Sequence, residues 1–234
     1  MSSFTLPLVM LELSTLVFAG LAAGAIHALS GPDHLAAVAP LTIADRQNAT
    51  RIGLLWGLGH AAGIAVIGAI VFLLRGFLDF EALSAWSERA VGLMLIAVGI
   101  WGLRKAVTKW FHTHEHEHGS EAHAHIHFHQ KGHDEKRSAH KHSHASLGMG
   151  LLHGVAGTSH LFGVLPALAL PSTTAAVTYL CGYGLGNLLA MGGFAWLIGT
   201  ASGRVSHWGA RPFQVALGTC SVISIAIGFI WLML

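Results

Sequence analysis

The chain has 234 residues, 53% of them hydrophobic and only 10% charged, with a formal net charge of +2, where soluble domains carry roughly 25% charged residues. That balance excludes an ordinary soluble domain and leaves no basic patch for nucleic acid. Two cysteines, Cys181 and Cys220, neither in a CxxC motif, give no sign of a disulfide framework.

The apolar residues come in long runs, and a helix needs about 20 mostly apolar residues to cross the hydrocarbon core. In chain order the expected spans are 7–30, 52–74, 88–104, 147–170, 174–200 and 213–234. No Lys or Arg precedes Pro40, so the charged start of a cleavable signal peptide is missing. The first run ends in His27-Ala-Leu-Ser-Gly-Pro-Asp33-His34. Proline cannot continue a helix ladder and disfavours helical geometry in the residue before it. Gly31 and Pro32 therefore predict a break, with one helix ending near Ser30 and a short second helix over about 34–44. Backbone freed in this way is tolerated at membrane depth only where it is buried in protein or lines a cavity.

The segment recurs 126 residues later. His27 to Pro40 and His153 to Pro166 match at six of 14 positions, including both histidines (His27/His153, His34/His160), Gly31/Gly157 and Pro40/Pro166. Gly57-Leu58-Gly59 answers Gly184-Leu185-Gly186, which places His60 opposite Asn187. Gly92/Gly218 and Gly102/Gly228 also align. Three spans per copy is an odd number, so the second copy must enter the membrane upside down. The expected fold is an all-α polytopic membrane protein, six transmembrane helices in two inverted three-helix repeats, first and fourth elements broken. Residues 1–104 form the first repeat, 105–146 a histidine-rich, largely disordered linker, and 147–234 the second repeat.

Two histidines seven residues apart on a straight helix lie about 10.5 Å apart along its axis, too far to share an ion with bonds of about 2.0–2.1 Å. The break would let His27, Asp33 and His34 converge. Asp33 is also a candidate cap of the short helix; otherwise an intramembrane carboxylate needs a partner, and the first to name is a bound cation. His153 and His160 would form a neutral counterpart half, with Gly157 at the second break and His60 as a further ligand. Imidazole suits Ni, Co, Zn and Cu(II) rather than Mg or Ca. Ni²⁺ or Co²⁺ comes first and Zn²⁺ second, as transported ligand, with no prosthetic group.

The linker holds twelve of the eighteen histidines, among them His112, His114, His116, His118, His123, His125, His127 and His129. Such tracts read as metal binding, here a metal-loading loop too poor in apolar residues to pack. Eleven Lys and Arg fall on the linker's side of the expected membrane and only Arg75 and Arg89 on the other. Positive-inside orientation then puts both termini outside the cell (inner) membrane and the histidine-rich loop in the cytoplasm.

The motif from His27 to Leu35 resembles the signature of the nickel/cobalt transporter family: a His, a short spacer, then Asp-His. With the His-Gly-x-x-Gly segment at His153 and the histidine-rich loop, it is most similar to the six-span urease-accessory-type nickel permeases and the related efflux proteins. The resemblance implies Ni²⁺ or Co²⁺ as substrate and His27, Asp33 and His34 in selectivity. The three-plus-three plan also looks like membrane thiol-electron carriers of the cytochrome-maturation type. Those need a cysteine in each broken element; histidines stand there instead, which argues against that function even if the fold is shared.

The expected function is thus membrane transport of divalent transition-metal cations rather than catalysis. The metal ion, the bilayer and a cytoplasmic metallochaperone are the expected partners. The alternatives are export of Zn²⁺ or another metal by proton antiport, a membrane-embedded metalloenzyme, and a metal-sensing or storage protein acting through the linker.

Overall fold

The computed structural model describes residues 5–74, 80–108, 111–118, 121–128, 135–156 and 163–233. Helix α1 (Thr5–Ser30) is followed by α2 (Pro32–Ala44), a single 3₁₀ turn (Arg46–Asn48), α3 (Ala49–Leu74) and α4 (Phe80–Val107). Strands β1 (Phe111–His118) and β2 (Glu121–Phe128) come next, then α5 (Glu135–Val155), α6 (Leu165–Leu168), α7 (Thr173–His207) and α8 (Ala210–Met233).

Among the described residues, five stretches are long and apolar enough to cross a membrane: Met10–Ser30, Arg46–Ile70, Ala85–Val107, Thr173–His207 and Ala210–Met233. Large apolar side chains such as Phe18, Trp86, Leu93, Trp196 and Val215 lie on the outside, as lipid contact requires. The protein is a helical integral membrane protein. The expected sixth span, 147–170, is not among the five. Polar residues fill the first half of α5, which ends at Val155, and α6 covers only Leu165–Leu168. Within the linker, residues 111–118 pair antiparallel with 121–128, and the alternation of histidine with other residues there has the two-residue period of a strand.

The helices meet through small residues, which is how helices associate where lipid removes the hydrophobic driving force. On α1, Gly20 and Gly24 lie against the α7 backbone, and Gly182 and Gly186 of α7 lie against α1. On α3, Gly59 and Gly63 meet α5, whose Gly150 and Gly154 meet α3 in return. The two crossings correspond residue by residue. Gly24 abuts Tyr183 and Asn187, while Gly150 abuts Trp56 and His60; Gly186 abuts Leu21, while Gly59 abuts Leu147. Each of these pairs is related by an offset of 126 or 127 residues. Helices α4 and α8 form the third pair, with Gly92 and Gly228 in reciprocal contact. Between the pairs runs α2, with ten of its thirteen residues buried; it is a core element rather than a lipid-facing one. Its Ala36, Ala37 and Val38 pack with Trp56, Leu95 and Met191.

A methyl group at Gly24 or Gly150 would collide with backbone atoms of the facing helix, whereas one at Gly193 meets nothing within 4 Å. Gly150→Ala should therefore lower stability in detergent by about 1–3 kcal/mol, the usual cost of overpacking. Gly193→Ala should be neutral or stabilising by up to about 1 kcal/mol. Thermal unfolding followed by size-exclusion chromatography distinguishes the two; equal stability of both variants would refute the close-packed crossing.

Candidate intramembrane histidine and aspartate site

The break in the first element builds the site. Helix α1 ends at Ser30, Gly31 is extended (φ −79°, ψ 108°), and α2 starts at Pro32. Proline suits a first helical position because its missing N–H has no partner to lose there. Gly31 caps α2 without any side-chain hydrogen bond, so the capping role considered for Asp33 is not the one it takes. Asp33 sits in the first turn, where the helix dipole favours a negative charge, and its carboxylate turns to two histidines. The His34 Nδ1–H donates to Oδ1 at 3.0 Å, and the His153 Nε2–H donates to Oδ2 at 3.1 Å. All three residues are buried, with exposures of 3% for Asp33, 2% for His34 and 0% for His153.

That pairing decides the rest. With its Nδ1 proton given to Asp33, His34 presents a lone pair at Nε2. This atom lies 3.3 Å from His60 Nε2, which in turn lies 3.3 Å from His27 Nε2. Three imidazole nitrogens from α1, α2 and α3 thus converge. His27 is half-buried and His60 fully buried. Trp56, one turn before His60, stacks on its ring with centroids 5.0 Å apart, meets the His34 ring edge-on and lies tilted against His153. Tyr183 of α7 closes the other side, 5.7 Å from the His27 ring.

Two groups have donor atoms within 4.8 Å of one another: His27, His34 and His60, and Asp33, His34 and His153. The first is the better cation site. In the second, both imidazoles already spend a proton on the carboxylate, and an ion would have to displace them. In the first, the donors are placed for metal: bonds of about 2.0–2.1 Å at a tetrahedral angle put neighbouring donors about 3.3–3.4 Å apart. Asp33 behind His34 then supplies the carboxylate–histidine arrangement that fixes tautomer and ring orientation at metal centres.

Of the residues singled out from sequence, His27, Asp33, His34, His60 and His153 come together here. His160 and Gly157 lie outside the described residues, as does His129 of the linker. Asn187, the counterpart of His60, is fully buried on α7 and lies against Gly24 of α1. Trp56 and Tyr183 were missed. A signal existed, since both are aromatic and stand 127 residues apart, in the same register as His60 and Asn187.

The profile of the cytochrome c biogenesis protein transmembrane region matches residues 15–229. The chain belongs to that family. Among curated relatives, the chloroplast protein FOR GROWTH AND FERTILITY 2 of Arabidopsis thaliana is 32% identical over 229 residues, covering 93% of this chain and 59% of that protein. The chloroplast protein FOR GROWTH AND FERTILITY 1 of the same plant is 34% identical over 215 residues, covering 92% of this chain and 58% of the relative. The chain therefore spans about three fifths of the length of these relatives. No solved structure matches. The match overturns the nickel/cobalt family expected from the His27 motif, and with it the function of transporting those metals. The reason is the reach of each signal: the motif covers a few residues around one break, while the family match follows the helices across the chain. The likeness to cytochrome-maturation carriers was the correct one at the level of family.

A methyl at Gly31 would fall on His34 Nδ1 and Asp33 Oδ1. Gly31→Ala should therefore break the Asp33–His34 hydrogen bond, and Asp33→Asn should leave one buried N–H donor facing another. Each should cost about 1–3 kcal/mol, as for an unsatisfied buried polar group. Thermal denaturation in detergent checks this, with Pro32→Ala, at an exposed position, expected to cost less than either.

Proposed function

We propose that this chain holds one first-row divalent transition-metal ion within the membrane, on His27, His34 and His60, with Asp33 orienting His34 and balancing charge. The observation that carries this is the pair of 3.3 Å separations among the three Nε2 atoms, backed by a carboxylate. Imidazole donors suit Zn, Cu, Ni and Co. When bound, the ion would supply a fixed positive charge and an open coordination position, as three-ligand protein sites do. The chain's own residues hold the donors in place, exclude water through Trp56, and anchor the proton on His34 Nδ1.

The family's description places its fold in cytochrome c biogenesis. We propose a biogenesis role here too, with the histidine centre occupying the helix break where a thiol pair would be needed. Cys181 is exposed on α7 and Cys220 half-buried on α8, so neither stands at that break. For topology, we propose two copies related by inversion, on the strength of the matched crossings α1 with α7 and α3 with α5. The Lys105 ammonium donates to the Ala44 carbonyl at 3.4 Å and Arg46 pairs with Ser206, which gathers the ends of α2, α4 and α7 at one basic end. That end is assigned to the cytoplasm by the positive-inside rule, and both termini fall outside on the proposal that α5 and α6 together make one further, broken crossing.

A second reading rests on the same contacts. His27, His60, His34, Asp33 and His153 form one chain of links of 3.0–3.3 Å, and such chains relay protons in membranes.

Titration of the purified protein with Co²⁺ should give a tetrahedral ligand-field spectrum from this centre. His60→Ala should remove the part of the spectrum that comes from this centre, and Asp33→Asn should weaken binding there about tenfold to a hundredfold. Affinity should fall under acid conditions, where protons compete with the metal for imidazole. A spectrum unchanged in His60→Ala sinks the metal reading. Proton flux through liposome-embedded protein that survives chelation but not Asp33→Asn would favour the relay.

A further inference from the structure

The intramembrane centre uses no linker histidine, yet the hairpin arranges these residues with a regularity that composition alone does not require. The register of β1 and β2 sets His112 opposite His127, His114 opposite His125, and His116 opposite His123, with His118 opposite Glu121. Successive residues of a strand point to opposite faces, and directly opposed residues share a face. All seven histidines therefore fall on one face of the ribbon. The other face takes the pairs Phe111/Phe128, Thr113/Ile126, Glu115/Ala124 and Glu117/Ala122.

This segregation depends on register. Sliding one strand by a single residue would set His112, His114 and His116 opposite Ile126, Ala124 and Ala122 and spread the histidines over both faces. The two residues between the strands, Gly119 and Ser120, are a dipeptide typical of two-residue hairpin connections, which fix register by loop length. Opposed residues have Cα atoms about 4.5–5.5 Å apart, and successive rungs follow at about 6.6–6.8 Å. Each His–His rung thus sets two histidines at directly opposed positions of the register, with the next such rung two residues along.

We propose that this face is a histidine ladder that binds first-row divalent transition-metal ions rung by rung, as a site separate from the intramembrane centre. Its selectivity follows imidazole chemistry, favouring Cu²⁺, Zn²⁺ and Ni²⁺ over Mg²⁺ and Ca²⁺. Its capacity is more than one ion per chain.

The test uses the full chain in detergent with His34→Ala and His60→Ala together, so that the intramembrane centre is silent and the two proposals fail independently. Zn²⁺ binding is measured by competition with a chelating dye. In one variant Thr113→His with His114→Thr, and Glu115→His with His116→Glu, move two histidines to the other face at constant composition. Zn²⁺ affinity should fall at least tenfold and the bound stoichiometry should drop. A second comparison sets His123→Ala, His125→Ala and His127→Ala against His140→Ala, His142→Ala and His144→Ala, three histidines from each of two places. Only the first triple should weaken binding. Equal binding by the face-swapped variant and its parent, or equal losses in the two triples, would overturn the ladder and leave a histidine-rich chelator without geometry.

Discussion

A carboxylate buried in a membrane bundle is the constraint on which the rest of the site depends. Removing Asp33 from water carries a penalty of several kcal/mol unless its oxygens are matched by donors. Here they are matched by two imidazole N–H groups, one from the adjacent residue and one from α5, 120 positions along the chain. The bond to His34 fixes which nitrogen carries the proton, and so which one faces His60. The bond to His153 ties the second part of the chain to the start of α2. One interaction thereby sets a tautomer, positions a short helix and joins the two parts of the bundle.

The helix pairs make that geometry reachable. Imidazoles on three elements cannot bring nitrogens to 3.3 Å unless the backbones carrying them are themselves close. Gly150 and Gly154 let α5 approach α3 on either side of His60, and Gly20 and Gly24 let α1 approach α7 beside Tyr183. Glycine weakens an isolated helix by roughly 1 kcal/mol relative to alanine. In this bundle that loss is offset by contact between backbones, and the gain is delivered at the depth where the polar side chains meet. Trp56 then packs one ring system against three of the five polar residues, His34, His60 and His153.

Much of this was legible in the residues. The break at Gly31-Pro32 follows from backbone chemistry, and the convergence of His27, Asp33 and His34 follows from the impossibility of sharing an ion along a straight helix. His60 emerged from the repeated Gly-Leu-Gly. Other features were not legible for identifiable reasons. The direction of the Asp33 carboxylate depends on where α5 passes, which is a tertiary fact. Apolar content gave six spans because residues 147–170 were counted as a crossing despite the break placed at Gly157. Family membership was misjudged because a short metal-ligating motif was weighed above a plan of helices and small residues distributed over the chain.

That last error separates fold from chemistry. A helix broken inside a bundle provides freed backbone, shelter from water and a meeting point for residues distant in sequence, whatever side chains occupy it. Function lives in the site grafted onto the fold. A thiol pair at such a break would exchange electrons through disulfide formation, which needs two sulfurs within bonding reach. Imidazoles and a carboxylate cannot do that; they bind cations and move protons. The chain keeps its family's helical plan while its two cysteines lie on α7 and α8, away from the break, and its histidines gather at it. At the break of this scaffold five side chains meet, His27, Asp33, His34, His60 and His153, with Asp33 deciding how His34 and His153 are oriented.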